Sequence, residues 1–305
     1  MTPTHLITHN GGFHADEVMS TVVLSALFPK ANIVRTRDTD WTQPAPGRII
    51  YDVGGDFDPA RFIFDHHQRG APVRPDGQPF SSFGLIWRAF GADYLAACGV
   101  PEADSAAVHA AVDETFVLPV DLVDNGVVSP AEAGPLAAMT LPGLIETLKP
   151  VFDDPDPEAE MAAFHRAVTV ARPFVEAQVA GAWARRRASG MVVQAIAAAD
   201  GAVLELPRAM PFEAEVRAAD APHLLFAIYP RGTDWALSGI KLRDQGYDLR
   251  ADLPAGWAGL TDAALEAACG VPGAVFCHKA RFMAVARTRA AILAMAEIAV
   301  REAQA

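Results

Sequence analysis

Arg61-Phe-Ile-Phe-Asp65-His66-His67 decides the reading of this chain. An apolar, β-type run ends there in a carboxylate and two imidazoles, and the same construction recurs upstream. Leu6-Ile7-Thr8 runs into His9-Asn-Gly-Gly-Phe-His14-Ala-Asp16-Glu17, and Arg48-Ile-Ile-Tyr51 runs into Asp52-Val-Gly-Gly55. In an open α/β sheet, ligands bind beyond the carboxyl ends of the strands. Packing does not require imidazoles and carboxylates at one strand end after another, whereas a metal site does.

Outward from these runs, strands alternate with helices. Residues 5–8 predict a strand. Residues 16–28 carry Val18, Met19, Val22, Val23 and Leu27 at helical spacing and stop at Pro29. Residues 33–34, 48–51 and 61–64 predict further strands, and the alternation points to a mostly parallel sheet. Ser81-Ser82 caps a helix to about Phe90. Residues 102–123 predict helix, interrupted at Pro119 and ended by Asp124-Asn125-Gly126. The acidic, proline-rich stretch 149–157 divides the chain into domains 1–150 and 151–305. Beyond it, 158–188 predicts a long helix ending in Arg185-Arg186-Arg187. Residues 191–196, 203–206, 224–229 and 235–240 predict strands, and 261–269 and 287–303 predict helices. The expected fold class is α/β: an N-terminal, mostly parallel sheet with flanking helices, plus a smaller C-terminal α+β domain.

Composition narrows the function. Apolar residues make up 51% of the 305, enough for a substantial core, and the formal charge is −12, from 25 basic and 37 acidic residues. That argues against a broad nucleic-acid-binding surface, which carries a basic footprint. It leaves room for a cleft whose metal ions supply the positive charge. Cys98, Cys269 and Cys277 are scattered with no Cys-x-x-Cys. Neither a zinc knuckle nor a disulfide framework is indicated, and a reducing, cytoplasmic setting is expected. No basic-then-apolar leader and no run of about 18 apolar residues is present, so neither a signal peptide nor a membrane span is expected. An exposed apolar face on the second domain would support a homodimer.

Nitrogen and oxygen donors without thiolate suit Mn²⁺, Mg²⁺ or Zn²⁺. The candidate ligands are His9, His14, Asp16, Asp52, His66 and either Asp121 or Asp124, which lie three apart on nearly one helix face. Two divalent ions about 3.5–4 Å apart can clamp the attacking and leaving oxygens of a phosphoryl displacement. Ser81 and Ser82, ahead of a helix, either cap it or offer donors to a phosphate. His278, Lys279 and Arg281 are candidate substrate contacts in the second domain. Arg185-Arg186-Arg187 fits a solvated helix end better than a nucleic-acid contact.

His9-x4-His14-x-Asp16, Asp52-Val-Gly-Gly, Asp65-His66-His67-Gln68, Ser81-Ser82-x-Gly84 and Asp121-x-x-Asp124-Asn125-Gly126 together resemble the DHH phosphoesterase superfamily. The chain is more closely similar to the MYG (melanocyte-proliferating-gene-like) family, nearly end to end. Leu253-Pro-x-x-Trp257-x-Gly259-Leu260, Gly270-Val-x-Gly273 and Phe276-x-His278 extend that likeness toward the C-terminus. The resemblance implies a metal-bearing parallel α/β domain, a smaller C-terminal domain closing over its cleft, and metal-dependent phosphoester hydrolysis. Eukaryotic members of the closer family are associated with 3′-to-5′ RNA exonuclease activity. The expected function is hydrolysis of RNA ends or short oligonucleotides. A pyrophosphatase-like or small-nucleotide phosphoesterase and a non-catalytic metal- or nucleotide-binding module are the alternatives. Two divalent ions are implied, Mn²⁺ first, with Mg²⁺ or Zn²⁺ as substitutes. Carried onto this chain, Asp52 bridges the ions. His9 and His14 face one ion, and Asp16, His66 and Asp124 the other. His67 stands just outside, orienting water or protonating the leaving oxygen, with Asp65 beside it in the catalytic set.

Overall fold

The computed structural model describes residues 2–154, 156 and 158–305, so Pro155 and Pro157 of the expected linker lie outside the described residues. Strands β1 (His5–Thr8), β2 (Asn32–Arg35), β3 (Arg48–Tyr51), β4 (Phe57–Asp58) and β5 (Ile63–Phe64) form one sheet in the order β2-β1-β3-β5-β4. β1 pairs in parallel with β2 and β3, and β3 with β5; β4 runs antiparallel to β5. The strands that lead into His9, Asp52 and Asp65 are therefore direct neighbours, with Ile7 opposite Ile50 and Ile50 opposite Ile63.

A parallel sheet is covered on both faces, which explains apolar runs in place of alternation. On one face, α1 (Ala15–Leu27) buries Val18, Met19, Val22 and Val23 in the main core. On the other, Ile7, Ile50, Val53 and Ile63 pack with Trp41 of the short helix α2 (Thr39–Thr42). Helices α3 (Ser82–Ala97) and α4 (Glu102–Val112) add Phe83, Trp87, Tyr94 and Val108 to the main core. A π turn, Asp113–Val117, leads into α5 (Leu118–Asp124), and α6 (Leu141–Glu146) follows.

Helix α7 (Ala159–Ala198) belongs to two cores in succession. Ala163, Phe164, Ala167, Ala171, Val175 and Val179 join the main core, whereas Val192 joins Leu204, Leu206 and Phe212. The chain accordingly divides into Met1–Trp183 and Ala184–Ala305, inside α7 and beyond the proline-rich stretch. The second unit holds β6 (Val203–Glu205), α8 (Glu213–Ala218), β7 (Phe226–Arg231), β8 (Asp234–Gly239), α9 (Asp262–Cys269), β9 (Ala274–Cys277), β10 (Met283–Ala286) and α10 (Arg289–Ala303). Its sheet runs β6-β7-β8-β10-β9 and is antiparallel except for β6 against β7. Ile292, Met295, Ala296 and Ala299 of α10 pack on it. The α/β class with an α+β second unit holds.

Several local expectations change. Residues 191–196 are not a strand; they continue α7, because Val192, Ala195 and Ile196 face one core at helical spacing and tertiary packing overrides β propensity. In 61–64 only Ile63 and Phe64 are strand. Asp58 caps a 3₁₀ turn with Pro59 at its start, and Phe62 leaves that turn with φ of 57°. Helix α3 continues past Phe90, since Gly91 faces His109 rather than ending the helix. The break in 102–123 comes at the π turn just ahead of Pro119. Among the described residues, no helix is long and apolar enough to cross a membrane.

Candidate metal centre

His9 follows β1, Asp52 follows β3, and Asp65-His66-His67 follows β5, so the sheet delivers all of them to one edge. Asp52 is the hub. It is buried, and its φ of 57° puts a non-glycine residue in the left-handed region, at a cost of about 1–3 kcal/mol. Its two oxygens serve two imidazoles: Oδ2 lies 3.1 Å from His9 Nε2 and Oδ1 lies 3.1 Å from His66 Nε2. The next turn depends on glycine. Gly54 has φ of 107°, and a Cβ there would meet Ile63 Cδ1 at 2.9 Å. Gly55 N–H then donates to Asp65 Oδ2 at 2.6 Å, tying the end of β3 to the end of β5.

Helix α1 brings the second set. His14 precedes it, and its N–H donates to Glu17 Oε2 at 2.8 Å. Asp16 and Glu17 sit fully buried in the first turn, where the helix dipole favours carboxylates. Asp124, the last residue of α5, lies 3.4 Å from His66 Nε2 through Oδ2, and Asp16 Oδ2 lies 3.9 Å from the same nitrogen. Ligand atoms of His9, His14 and Glu17 fall within 4.8 Å of one another, as do those of Asp52, His66 and His67, of His14, Asp16 and Asp124, and of Asp16, Glu17 and Asp52. These groups overlap around a cavity of about 640 Å³ lined also by Arg37, Val120 and Val123.

The donors fit a hard divalent cation. Asp16 Oδ1 is buried and accepts from no donor. Glu17 Oε1 is buried and faces only His9 Nε2, at 3.2 Å. Burial, with the neighbouring charge of Asp16, pushes the Asp124 carboxyl up to about 9, and burial pushes Glu17 up to about 8. Burial works to lower the imidazoles, yet the carboxylates outweigh it. His9, against Asp52 and Glu17, rises to about 10, and His66, against Asp52, to about 9. Asp52 answers in the other direction: burial would raise it, but His66 and His9 hold it down to about 2. Protons thus stand where a cation would balance the same carboxylates.

Three sequence-derived candidates have other work. Asp121 is buried away from the overlapping groups: Oδ1 accepts from Ser81 Oγ at 2.6 Å and Gly84 N at 3.0 Å, and Oδ2 from Arg74 Nη2 at 2.7 Å. Of the two aspartates on α5, Asp124 is the one turned to the centre. Ser81 Oγ is committed to Asp121 and to capping Phe83 N, and Ser82 Oγ and N–H both donate to Asp16 Oδ2, at 2.7 and 3.3 Å. The two serines hold carboxylates in place and have no hydroxyl left for a phosphate. His67 is different, with its side chain 61% exposed and Nδ1 2.7 Å from Asp65 Oδ1. That bond raises the imidazole. Burial works to raise Asp65, but its bonds to His67 and Gly55 hold it below the usual carboxylate range.

His278, Lys279 and Arg281 lie in the second unit, on the turn from β9 to β10. His278 Nδ1 accepts from Ala280 N at 3.0 Å, Arg281 pairs with Asp252 at 2.5 Å, and Lys279 is exposed. Glu17 is a further candidate that the structure adds to the cluster. Its signal was present: it shares a helical stripe with Thr21 and Leu24, both buried, so a carboxylate there had to face the interior.

An α/β unit that collects imidazoles and carboxylates beyond three adjacent strand ends puts a candidate metal centre where open α/β sheets bind their ligands. The family model MYG1_exonuc, described as "Uncharacterised protein family (UPF0160)", matches residues 5–300. The chain belongs to that family. MYG1 exonuclease of Homo sapiens is 34% identical over 326 residues, covering 97% of this chain and 85% of the relative. A MYG1 protein of Schizosaccharomyces pombe is 30% identical, covering 95% of each, and one of Chlamydia muridarum is 29% identical, covering 93% and 92%. Among solved structures, RecJ of Thermus thermophilus in complex with Mn²⁺ aligns at 14% identity with a TM-score of 0.27, a likeness too slight to argue from. The chain spans about half of RecJ, 52% of its length.

Proposed function

We propose that this protein is a two-metal phosphodiesterase that removes nucleotides from the end of RNA or a short oligonucleotide, with Mn²⁺ as the preferred ion. The observation that carries the reading is Asp52, a strained, buried carboxylate with one oxygen toward each of two histidine–carboxylate groups. That is the disposition a bridging ligand needs. His9, His14 and Glu17 would hold one ion, and Asp16, His66 and Asp124 the other. When bound, the ions supply the Lewis acidity that stabilises the attacking and leaving oxygens of an in-line displacement.

The chain's own groups do the rest. With Nδ1–H donated to Asp65, His67 keeps Nε2 open to solvent as an acid for the leaving oxygen. Asp65 fixes that ring while its other oxygen anchors Gly55. Ser82 orients Asp16, and Arg37 brings a cation to the cavity rim. The exonuclease name of its relatives, at 34% identity for the human protein, agrees with this chemistry.

The test is end-labelled single-stranded RNA with Mn²⁺, run beside dinucleotides and pyrophosphate and beside the Asp65→Ala/His66→Ala variant. A ladder from wild type alone supports the exonuclease. Intact RNA with cleaved small substrates would move the activity to small nucleotides, and no cleavage with any of several metals would remove the catalytic reading.

A further inference from the structure

A second cavity, of about 320 Å³, adjoins the metal cleft in the first unit and shares Val120, Val123, Pro130 and Pro142 with it as common wall. Phe116 and Leu141 close it, and Val128, 38% exposed, stands among its lining. Its chemistry is unlike that of the cleft. No Lys, Arg or His lines it, so it offers a phosphate no positive side-chain charge. The one charged group is Glu132, whose Oε1 takes only a long 3.5 Å contact from Ser129 N–H and keeps capacity for another donor.

Helix α5 joins the two cavities. Val120 and Asp124 are four residues apart and share a face, so the wall of the apolar chamber and a candidate metal ligand are successive positions on one stripe, about 6 Å apart along the axis. Phe116, in the preceding turn, extends the stripe away from the metal. A group anchored by its phosphate at an ion that Asp124 would help hold meets apolar surface one turn further on. A nucleotide has that layout: phosphate, then sugar, then a flat base whose edge carries N–H donors.

We propose that the chamber is the subsite for the terminal nucleoside of the substrate, its base against Phe116, Val120 and Leu141 and a donor edge toward Glu132. The proposal rests on the phosphodiesterase reading above and adds its substrate class: an unpaired, base-bearing end. A base-paired end could not place its base there without giving up its partner.

The test compares binding of nucleoside 5′-monophosphates with that of ribose 5-phosphate, which lacks the base, to Mn²⁺-loaded protein by titration calorimetry. Wild type should favour the nucleotides by tenfold or more. Ala133→Phe, which fills the chamber from an exposed position, and Val128→Asp, which puts a charge into it, should each bring that ratio toward one, with Mn²⁺ content and melting temperature confirming a folded protein. Equal binding of both ligands by wild type, or a preference that survives both substitutions, overturns the subsite. RNA cleavage by the same preparations separates the two readings. Base-dependent binding without cleavage leaves the subsite and removes the phosphodiesterase; cleavage without base dependence does the reverse.

Discussion

Asp52 concentrates the consequences of this site in one side chain. Replacing it with alanine removes both of its oxygens from His9 and His66 at once. Turnover should vanish and Mn²⁺ stoichiometry should fall by metal analysis; activity above about a tenth of wild type would contradict a bridging role. His67→Ala should behave otherwise, cutting the rate by roughly 10²–10⁴ while metal content stays unchanged. If metal leaves with His67, it is a ligand rather than the acid. Protonation supplies a further test. His9 and His66 hold protons in the metal-free fold to about 10 and 9, and Glu17 and Asp124 to about 8 and 9, all above their unfolded values. A fold that keeps protons the unfolded chain releases loses stability as pH climbs between those values. Asp52, lowered to about 2, adds stability already complete above its unfolded value and does not vary in that window. Metal ions bind the deprotonated donors, so their advantage grows as the protons leave. The melting-temperature gap between Mn²⁺-loaded and EDTA-treated protein should therefore widen from about pH 6 to about pH 8.5. A gap that is flat or shrinks over that range would deny these groups to the metal.

At the scale of elements, α3 and α5 act as the frame. Ser82 steadies Asp16 from outside the centre, and losing such a partner typically costs 10–100-fold in metal affinity. Ser82→Ala should show that loss in an equilibrium Mn²⁺ titration while the fold persists; unchanged affinity would make the hydroxyl idle. Gly84→Ala puts the frame itself on trial. Glycine to alanine inside a helix ordinarily stabilises by about 1 kcal/mol. Here the new Cβ would overlap the Asp121 carboxylate and stand 2.7 Å from Phe80 Cδ1, so the change should destabilise by about 1–3 kcal/mol in urea unfolding. Much of this frame was legible beforehand. Strands 5–8 and 48–51, the Ser81 cap and the stop at Asn125-Gly126 rest on local chemistry and stand where expected. What local chemistry could not show was the use of Ser81, Ser82 and Asp121, because a hydroxyl before a helix looks the same whether it faces a phosphate or a buried carboxylate. Residues 191–196 differ from expectation for a related reason: their valines and isoleucine favour a strand until the rest of the core asks them for a helical face.

Considered whole, the chain builds two units, each on its own five-stranded sheet and its own core. The C-terminal motifs that carried the family likeness turn out to serve that second core. Trp257 is buried, Gly270 ends α9 in the left-handed region, and Gly273 N–H donates to Glu266 at 2.6 Å. Glycines and a tryptophan were visible in the sequence, but their work as packing and capping residues needed the fold. The net charge of −12 makes a prediction of its own. A strongly acidic protein binds RNA through few phosphate contacts, so its affinity should depend weakly on salt, with a slope of log K against log salt of roughly −1 to −2 rather than the steep values of basic binders. Filter binding of a single-stranded oligonucleotide to the slow, metal-retaining His67→Ala variant across a salt series would measure it.

The π turn at Asp113–Val117 carries one residue more than an α-helical turn, which is how a helix accommodates an inserted residue. It sits upstream of Asp124, whose placement at the cleft is set by the segment after the turn. In descent, that makes the turn a place where a lineage can gain or lose one codon while keeping Asp124, the proposed ligand. A single-residue gap between Val112 and Leu118, in any relative that keeps the Asp121-x-x-Asp124 pair, would record that event.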